Sequence, residues 1–256
     1  MITTAPALEL HELEKLRELD LEEARAIQGA MLPTESLRSE HVSISHEFQP
    51  MAEVGGDFLD YFELTDGTFG LYVGDVSGKG LPATLYAALA VGTLRGVHKT
   101  GLAPAQVLST LNRRLMLRGV PRRYAALQYA LFDPASRVMT ISSAGMPGPF
   151  HISSRGCRGL ELSGIPPGLF VTASYDSCSL VLEPGDSIVF CTDGMTDAMN
   201  ADGDAFGIDR LLSICEANPT AAPGVLLGNL FSAVENFSRG SVQHDDMAAA
   251  VFQYSG

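Results

Sequence analysis

The chain has 256 residues, 46% of them hydrophobic and 18% charged, and its 30 acidic and 17 basic side chains leave a formal net charge of −13. That length suits one large domain or one domain with an appendage, and the apolar share excludes a chain that stays disordered. The acidic balance argues against a nucleic-acid or membrane-surface binder, because the one basic cluster, "NRRLMLRGVPRR" at residues 112–123, reads as a helix end and a solvated turn.

Residues 6–32 carry a helix pattern, with Thr4 as its cap, Pro6 in its first turn and Pro33 beyond its end. Leu13, Leu16, Ala24, Ile27 and Met31 fall on one stripe, which Asp20 interrupts. Such a stripe either packs on the domain or forms a short pairing seam between two chains, with Asp20 setting register. We therefore divide the chain into an N-terminal helix, 1–32, expected to serve dimerisation or regulation, and a domain over 33–256. "HVSISHEF" (41–48) alternates as a strand; "FLDYFEL", the turn "TDG" and "TFGLYVGD" form a hairpin. Helices are expected over 81–98 and 103–117, and strands over 124–132, 138–143, 179–182 and 187–192. Helices over 207–216 and 223–237 precede a last strand at 247–252. This grouping predicts an α+β layered fold more than a regular βαβ alternation. Cys157, Cys178, Cys191 and Cys215 form no CxxC pair, which speaks against a zinc ribbon or a redox pair. The N-terminus lacks a basic-then-apolar leader, and no apolar run reaches the ~18 residues of a membrane span, so a cytoplasmic, reducing location is expected.

The stretch "LYVGDVSGKGLPATL" (71–85) resembles a nucleotide loop at first sight. A P-loop needs G-x-x-x-x-G-K-[ST]; here Gly74 and Gly78 stand one residue too close and Gly80 follows Lys79, so the hydroxyl for magnesium is missing. The dinucleotide pattern fails as well, because Ala83 replaces its third glycine. Lys79 then reads as a solvated loop lysine. The aspartates carry more. "EVGGDF" presents Asp57, "LYVGDV" Asp75, "IVFCTDGMTDA" Asp193 and "VQHDDMAAAVF" the pair Asp245 and Asp246, each at a strand end or tight turn. Each alone is an ordinary turn aspartate. Converging, they would make an all-oxygen cluster that stays ionised only beside a cation, of the hard kind such as Mg²⁺ or Mn²⁺.

In this order, "AEVGGDFLDYFEL", "GLYVGDVSGKGLPA", "SSAGMPGPF", "LEPGDSIVFCTDGMTDAMNADGDAFG" and "HDDMAAAVF" resemble the PPM superfamily of metal-dependent protein serine/threonine phosphatases, in its SpoIIE/RsbU-like branch. The resemblance implies two stacked antiparallel β-sheets flanked by helices, an α-β-β-α sandwich with metals in a cleft at one end. It implies that Asp75 bridges two ions, Mn²⁺ or Mg²⁺, and that the Val76 carbonyl serves one of them. Asp193 and one of Asp245 and Asp246, with Asp245 favoured, would hold the other; Asp57 would bind directly or through water, and Thr192 and Gly194 would shape the turn. It implies hydrolysis of phosphoserine or phosphothreonine on a protein by an activated water, with catalytic Asp75, Asp193 and Asp245. The phosphorylated partner would be an anti-sigma-factor antagonist or similar switching protein. His244 beside the ligand pair is a candidate proton donor, though such a residue more often lines a cleft. Three positions depart from the family pattern: Met146 stands for a histidine, Ala126 for a threonine and Ala248 for a threonine or serine. They keep open a weakened relative that acts as a binding or scaffold protein. A metal-dependent nuclease is the other rival, disfavoured by the net charge.

Overall fold

A computed structural model describes residues 5–256, with residues 5–9 described by their backbone alone. The first helix, α1, runs over Ala5–Gly29; the Thr4 cap expected from sequence lies outside the described residues. Strand β1 (Leu37–Arg38) and strand β2 (Val42–Gln49) follow, then the hairpin of β3 (Phe58–Glu63) and β4 (Phe69–Val76). Helices α2 (Leu81–Val97) and α3 (Pro104–Met116) come next. A long strand pair, β5 (Ala125–Asp133) and β6 (Val138–Ala144), leads to the short hairpin of β7 (Phe150–Ser153) and β8 (Gly156–Gly159). After β9 (Cys178–Val181) and β10 (Ser187–Cys191), the short helix α4 (Asp193–Thr196) precedes α5 (Ile208–Ala217) and α6 (Pro223–Phe237). Strand β11 (Met247–Tyr254) is the last element.

The strands form two antiparallel sheets, one in the order β1-β2-β11-β10-β7-β8 and one in the order β3-β4-β5-β6-β9. Alternation along the strands explains the layers. On β4, Phe69, Leu71 and Val73 face the other sheet and, together with Phe132 of the neighbouring β5, meet its Ile188, Phe190 and Phe252 in the central core. Tyr72 and Val76 of the same strand face α2 and α3, joining Ala87, Leu94, Leu108 and Leu111. On β10, Val189 and Cys191 likewise turn to α5 and α6, against Leu211, Leu226 and Leu230. A strand buried on both faces reads as an unbroken apolar run, which is why "SIVFC" shows no polar alternation. The result is the expected four-layer sandwich, helices outside and sheets within.

One hairpin departs from the sequence expectation, and α1 bears on a choice the sequence leaves open. The sequence does not predict the hairpin of β7 and β8, because "GCRG" carries neither β-branched nor aromatic residues. On α1, Leu13, Leu16 and Ile27 of the expected stripe face outward at 63%, 59% and 65% exposure, with Leu10 beside them at 59%, whereas Ala24 of the same stripe is half-buried and Met31, just beyond the helix, packs against the core under α2 and α3. The face that meets the domain is Leu21, Ala24 and Gln28, of which Gln28 is buried. Gln28 turns inward because its amide has partners there, described below.

Candidate active site

Asp75 sits on the face of β4 that also carries Phe69, Leu71 and Val73, at the end where β4 leaves the sandwich. The core stops there and carboxylates begin. The loop before β3 brings Asp57, which is 2% exposed and close enough to Asp75 for the charge of that neighbour to act on it. From the end of β10, Thr192 donates its hydroxyl to Asp57 Oδ2 at 2.7 Å, and its Oγ1 accepts the amide of Ala248 at 2.9 Å. Thr192 therefore orients Asp57 and ties β10 to β11 at the rim. Asp193 opens α4, one residue on.

Burial and crowding push these acids up. For Asp57 desolvation leads, followed by the charge of Asp75, and the Thr192 hydroxyl opposes both. Asp75 rises to about 7, through burial first and then the charges of Asp193 and Asp245. Burial also raises Asp193, with Asp197 and Asp245 adding to it. Groups that repel one another in this way lie in one electrostatic neighbourhood, although they come from residues 57, 75, 193 and 245.

Asp246 does different work. Its Oδ1 accepts the Met51 amide at 2.8 Å and its Oδ2 accepts the Gly56 amide at 2.7 Å. A Cβ on Gly55 would fall into the Asp246 carboxylate, and one on Gly194 would fall into the Asp246 carbonyl. A Cβ on Gly56 would stand 2.9 Å from the Val76 carbonyl oxygen and 3.0 Å from Asp75 Oδ1. These glycines are thus required by close approach of backbone to the carboxylates. Gly55 is held from two further sides. The Gln28 side chain donates to its carbonyl at 2.9 Å and accepts its amide at 3.1 Å, and Thr84 donates to the same carbonyl at 2.9 Å.

The glycine loop after Asp75 is pinned as well. Ser77 donates its hydroxyl to the Arg122 carbonyl and accepts the Tyr124 amide, while the Arg123 guanidinium donates to the Ser77 carbonyl. Arg123, expected in a solvated turn, therefore belongs to this loop. Lys79 is also more than a solvated lysine: it pairs with Asp245 at 3.3 Å and donates to the His244 carbonyl. His244 itself is exposed, and a cleft of about 270 Å³ opens beside it, lined by Lys79, Gly194, Asp197, Met199 and Asp245 among others. Ala126 lies opposite Asp75 in the β4–β5 register, Met146 is buried, and Ala248 lends its backbone to Thr192. Sequence reasoning misses Gln28, Arg123 and the engagement of Lys79, because nothing local marks a contact across 27, 46 or 165 residues.

Among the described residues, no group of three or more acidic, histidine or cysteine side chains is arranged so that it could hold a metal ion as the side chains stand. The donor set still fits a hard divalent cation: carboxylates and the Val76 carbonyl, all oxygen, at a place where burial without a cation drives Asp57 and Asp75 towards their neutral forms.

The family model of stage II sporulation protein E (SpoIIE) matches residues 65–255 of the chain. Among curated proteins, the phosphoserine phosphatase RsbU of Bacillus subtilis is 27% identical over 186 residues, which is 72% of this chain and 55% of RsbU. The chain spans about half the length of the curated relatives it matches, between 40% and 55% of each. Among solved structures, the SiaA-PP2C domain of Pseudomonas aeruginosa superposes with a TM-score of 0.85 at 20% identity, covering 95% of this chain and 99% of that one. RsbX in complex with magnesium gives 0.64 at 14% identity, covering 86% and 99%. At such identities the two structures speak to the fold.

Proposed function

The chain belongs to the SpoIIE family of PP2C-type phosphatases, and from that premise we propose that it hydrolyses phosphoserine or phosphothreonine on a protein partner with the help of two Mn²⁺ or Mg²⁺ ions. The observation that carries this reading is the meeting of Asp57, Asp75, Asp193 and Asp245 at one end of the sandwich, three of them pushed up by burial and by one another. Asp75 and the Val76 carbonyl would hold the ions together with Asp193 and Asp245, and Asp57 would join them directly or through water. When bound, such ions neutralise charge developing on phosphoryl oxygens and make a water nucleophilic near neutral pH.

The chain's own residues do the rest. Thr192 fixes the carboxylate of Asp57, and Asp246 grips the Gly55–Gly56 loop through two backbone amides. Gln28 and Thr84 hold the same loop from the α1 and α2 sides. The cleft beside Asp245 leaves room for the phosphorylated residue. The magnesium in complex with RsbX agrees in kind with this all-oxygen donor set. RsbU is a phosphoserine phosphatase by name, which supports phosphoserine as the group removed, and as its carrier we assign a phosphoprotein of the partner-switching type, such as an anti-sigma-factor antagonist. We assign a regulatory segment to 1–32 and the phosphatase domain to 33–256, with homodimerisation through the outward leucines of α1. A cytoplasmic location accords with four free cysteines, and among the described residues no helix is long and apolar enough to cross a membrane.

The test is Mn²⁺-dependent hydrolysis of a phosphopeptide. Asp75→Asn and Asp193→Asn are each expected to lose at least about a hundredfold in rate while keeping the fold by circular dichroism. Near-normal turnover in either variant would sink the assignment.

A further inference from the structure

Lys79 lies in the glycine loop beside Asp75, yet the proposed reaction gives it no part. Its ammonium is not free in solvent. Nζ lies 3.3 Å from Asp245 Oδ2, donates to the His244 carbonyl and approaches the Met51 sulfur at 3.9 Å. Met51 is 28 residues away in sequence and His244 is 165 away, so one lysine ties the loop after β4 to the loop before β11. Asp245 is the end of the acidic cluster that this cation reaches.

A lysine ammonium and a divalent ion repel, so each weakens the hold of one carboxylate on the other. The pair is also open to water, with the Lys79 and Asp245 side chains 48% and 44% exposed. An ion pair that exposed is weak and exchanges readily, because a long flexible stem must be held in one place and solvent screens the charge. Those properties suit a displaceable occupant and not a permanent anchor.

We propose that Lys79 is an intramolecular competitor for the divalent cation at Asp245, neutralising that carboxylate until a cation displaces it. The proposal rests on the reading of Asp245 as a ligand. Lys79 is in this sense a positioning residue: it makes the ion held by Asp245 the weaker of the two and ties its arrival to release of the loop. The competition is electrostatic, so moderate salt shrinks it.

The test is Mn²⁺ binding to the full chain by isothermal titration calorimetry and electron paramagnetic resonance, with wild type, Lys79→Gln, Lys79→Arg and Asp245→Asn. Lys79→Gln should tighten the weaker Mn²⁺ site about three- to tenfold, and Lys79→Arg should behave as wild type. Asp245→Asn should lose the weaker ion. If Asp245→Asn binds the same ions as wild type, the ligand reading falls and takes this proposal with it. If Asp245→Asn loses an ion while Lys79→Gln keeps wild-type affinity or binds more weakly, the competitor role alone is overturned. That role also falls if Lys79→Gln changes only the KM for a phosphopeptide.

Discussion

A buried carboxylate crowded by other carboxylates holds a proton that it would release in water, and this gives Asp75 a signature in stability. Its carboxyl is raised from the usual 3.8 to about 7. Between about pH 4 and pH 7 the folded, cation-free protein therefore binds more protons than the unfolded chain, and its stability falls as pH rises. Asp57 and Asp193 are raised too and act with the same sign. Melting curves recorded in a chelator should show this decline, and Asp75→Asn should flatten it. Excess Mn²⁺ should stabilise the wild type more at pH 7.5 than at pH 5, because protons and cations compete for the same oxygens. A stability that climbs across this window equally in both proteins would contradict the coupling. The aspartates are legible in the sequence because glycines and apolar runs flank them and the motif order is specific. The division of labour within "HDD" is not: Asp246 accepts two backbone amides whose donors, Met51 and Gly56, lie 195 and 190 residues away.

Among the elements, α1 separates into two faces that answer to different forces. Gln28 is fixed by a paired hydrogen bond to Gly55. Arg95 of α2 secures the chain just beyond the helix, donating to the Met31 carbonyl at 2.7 Å while it pairs with Asp60 at 2.8 Å. The leucines at 10, 13 and 16 have no such engagement and stand in solvent. Apolar side chains repeated along one exposed face of a helix are costly to leave in water. Deleting residues 1–20 should therefore convert a dimer to a monomer by light scattering and leave the Gln28 contact in place. An unchanged mass would reduce that face to bare exposure. Most long elements are predictable to within a residue or two from periodicity and from Pro82, Pro104 and Pro223 at helix starts. The orientation of α1 is not, since a stripe shows where apolar groups lie on a helix and not whether the domain or a second chain covers them.

At the level of the whole molecule, a net charge of −13 bears on what can approach the cleft. A polynucleotide would meet a repulsive field with no basic stripe to release its counterions, whereas a single phosphorylated side chain brings little charge with it. A phosphopeptide should thus be turned over and single-stranded DNA left intact at equal phosphate concentration; nuclease activity would overturn the substrate class. The sandwich itself has a temporal consequence. Strand β11 lies between β2 and β10, and its register to both is continuous. Without it, the pair β1–β2 and the trio β10-β7-β8 share no ladder, and Thr192 lacks the Ala248 amide that helps to fix it. A ribosome releases residues 247–254 after nearly everything they must join, so the nascent chain waits with its longest-range pairings unmade. Because Asp245 and Asp246 directly precede β11 and Ala248 of that strand helps to fix Thr192, the acidic cleft is incomplete until β11 has closed the sheet.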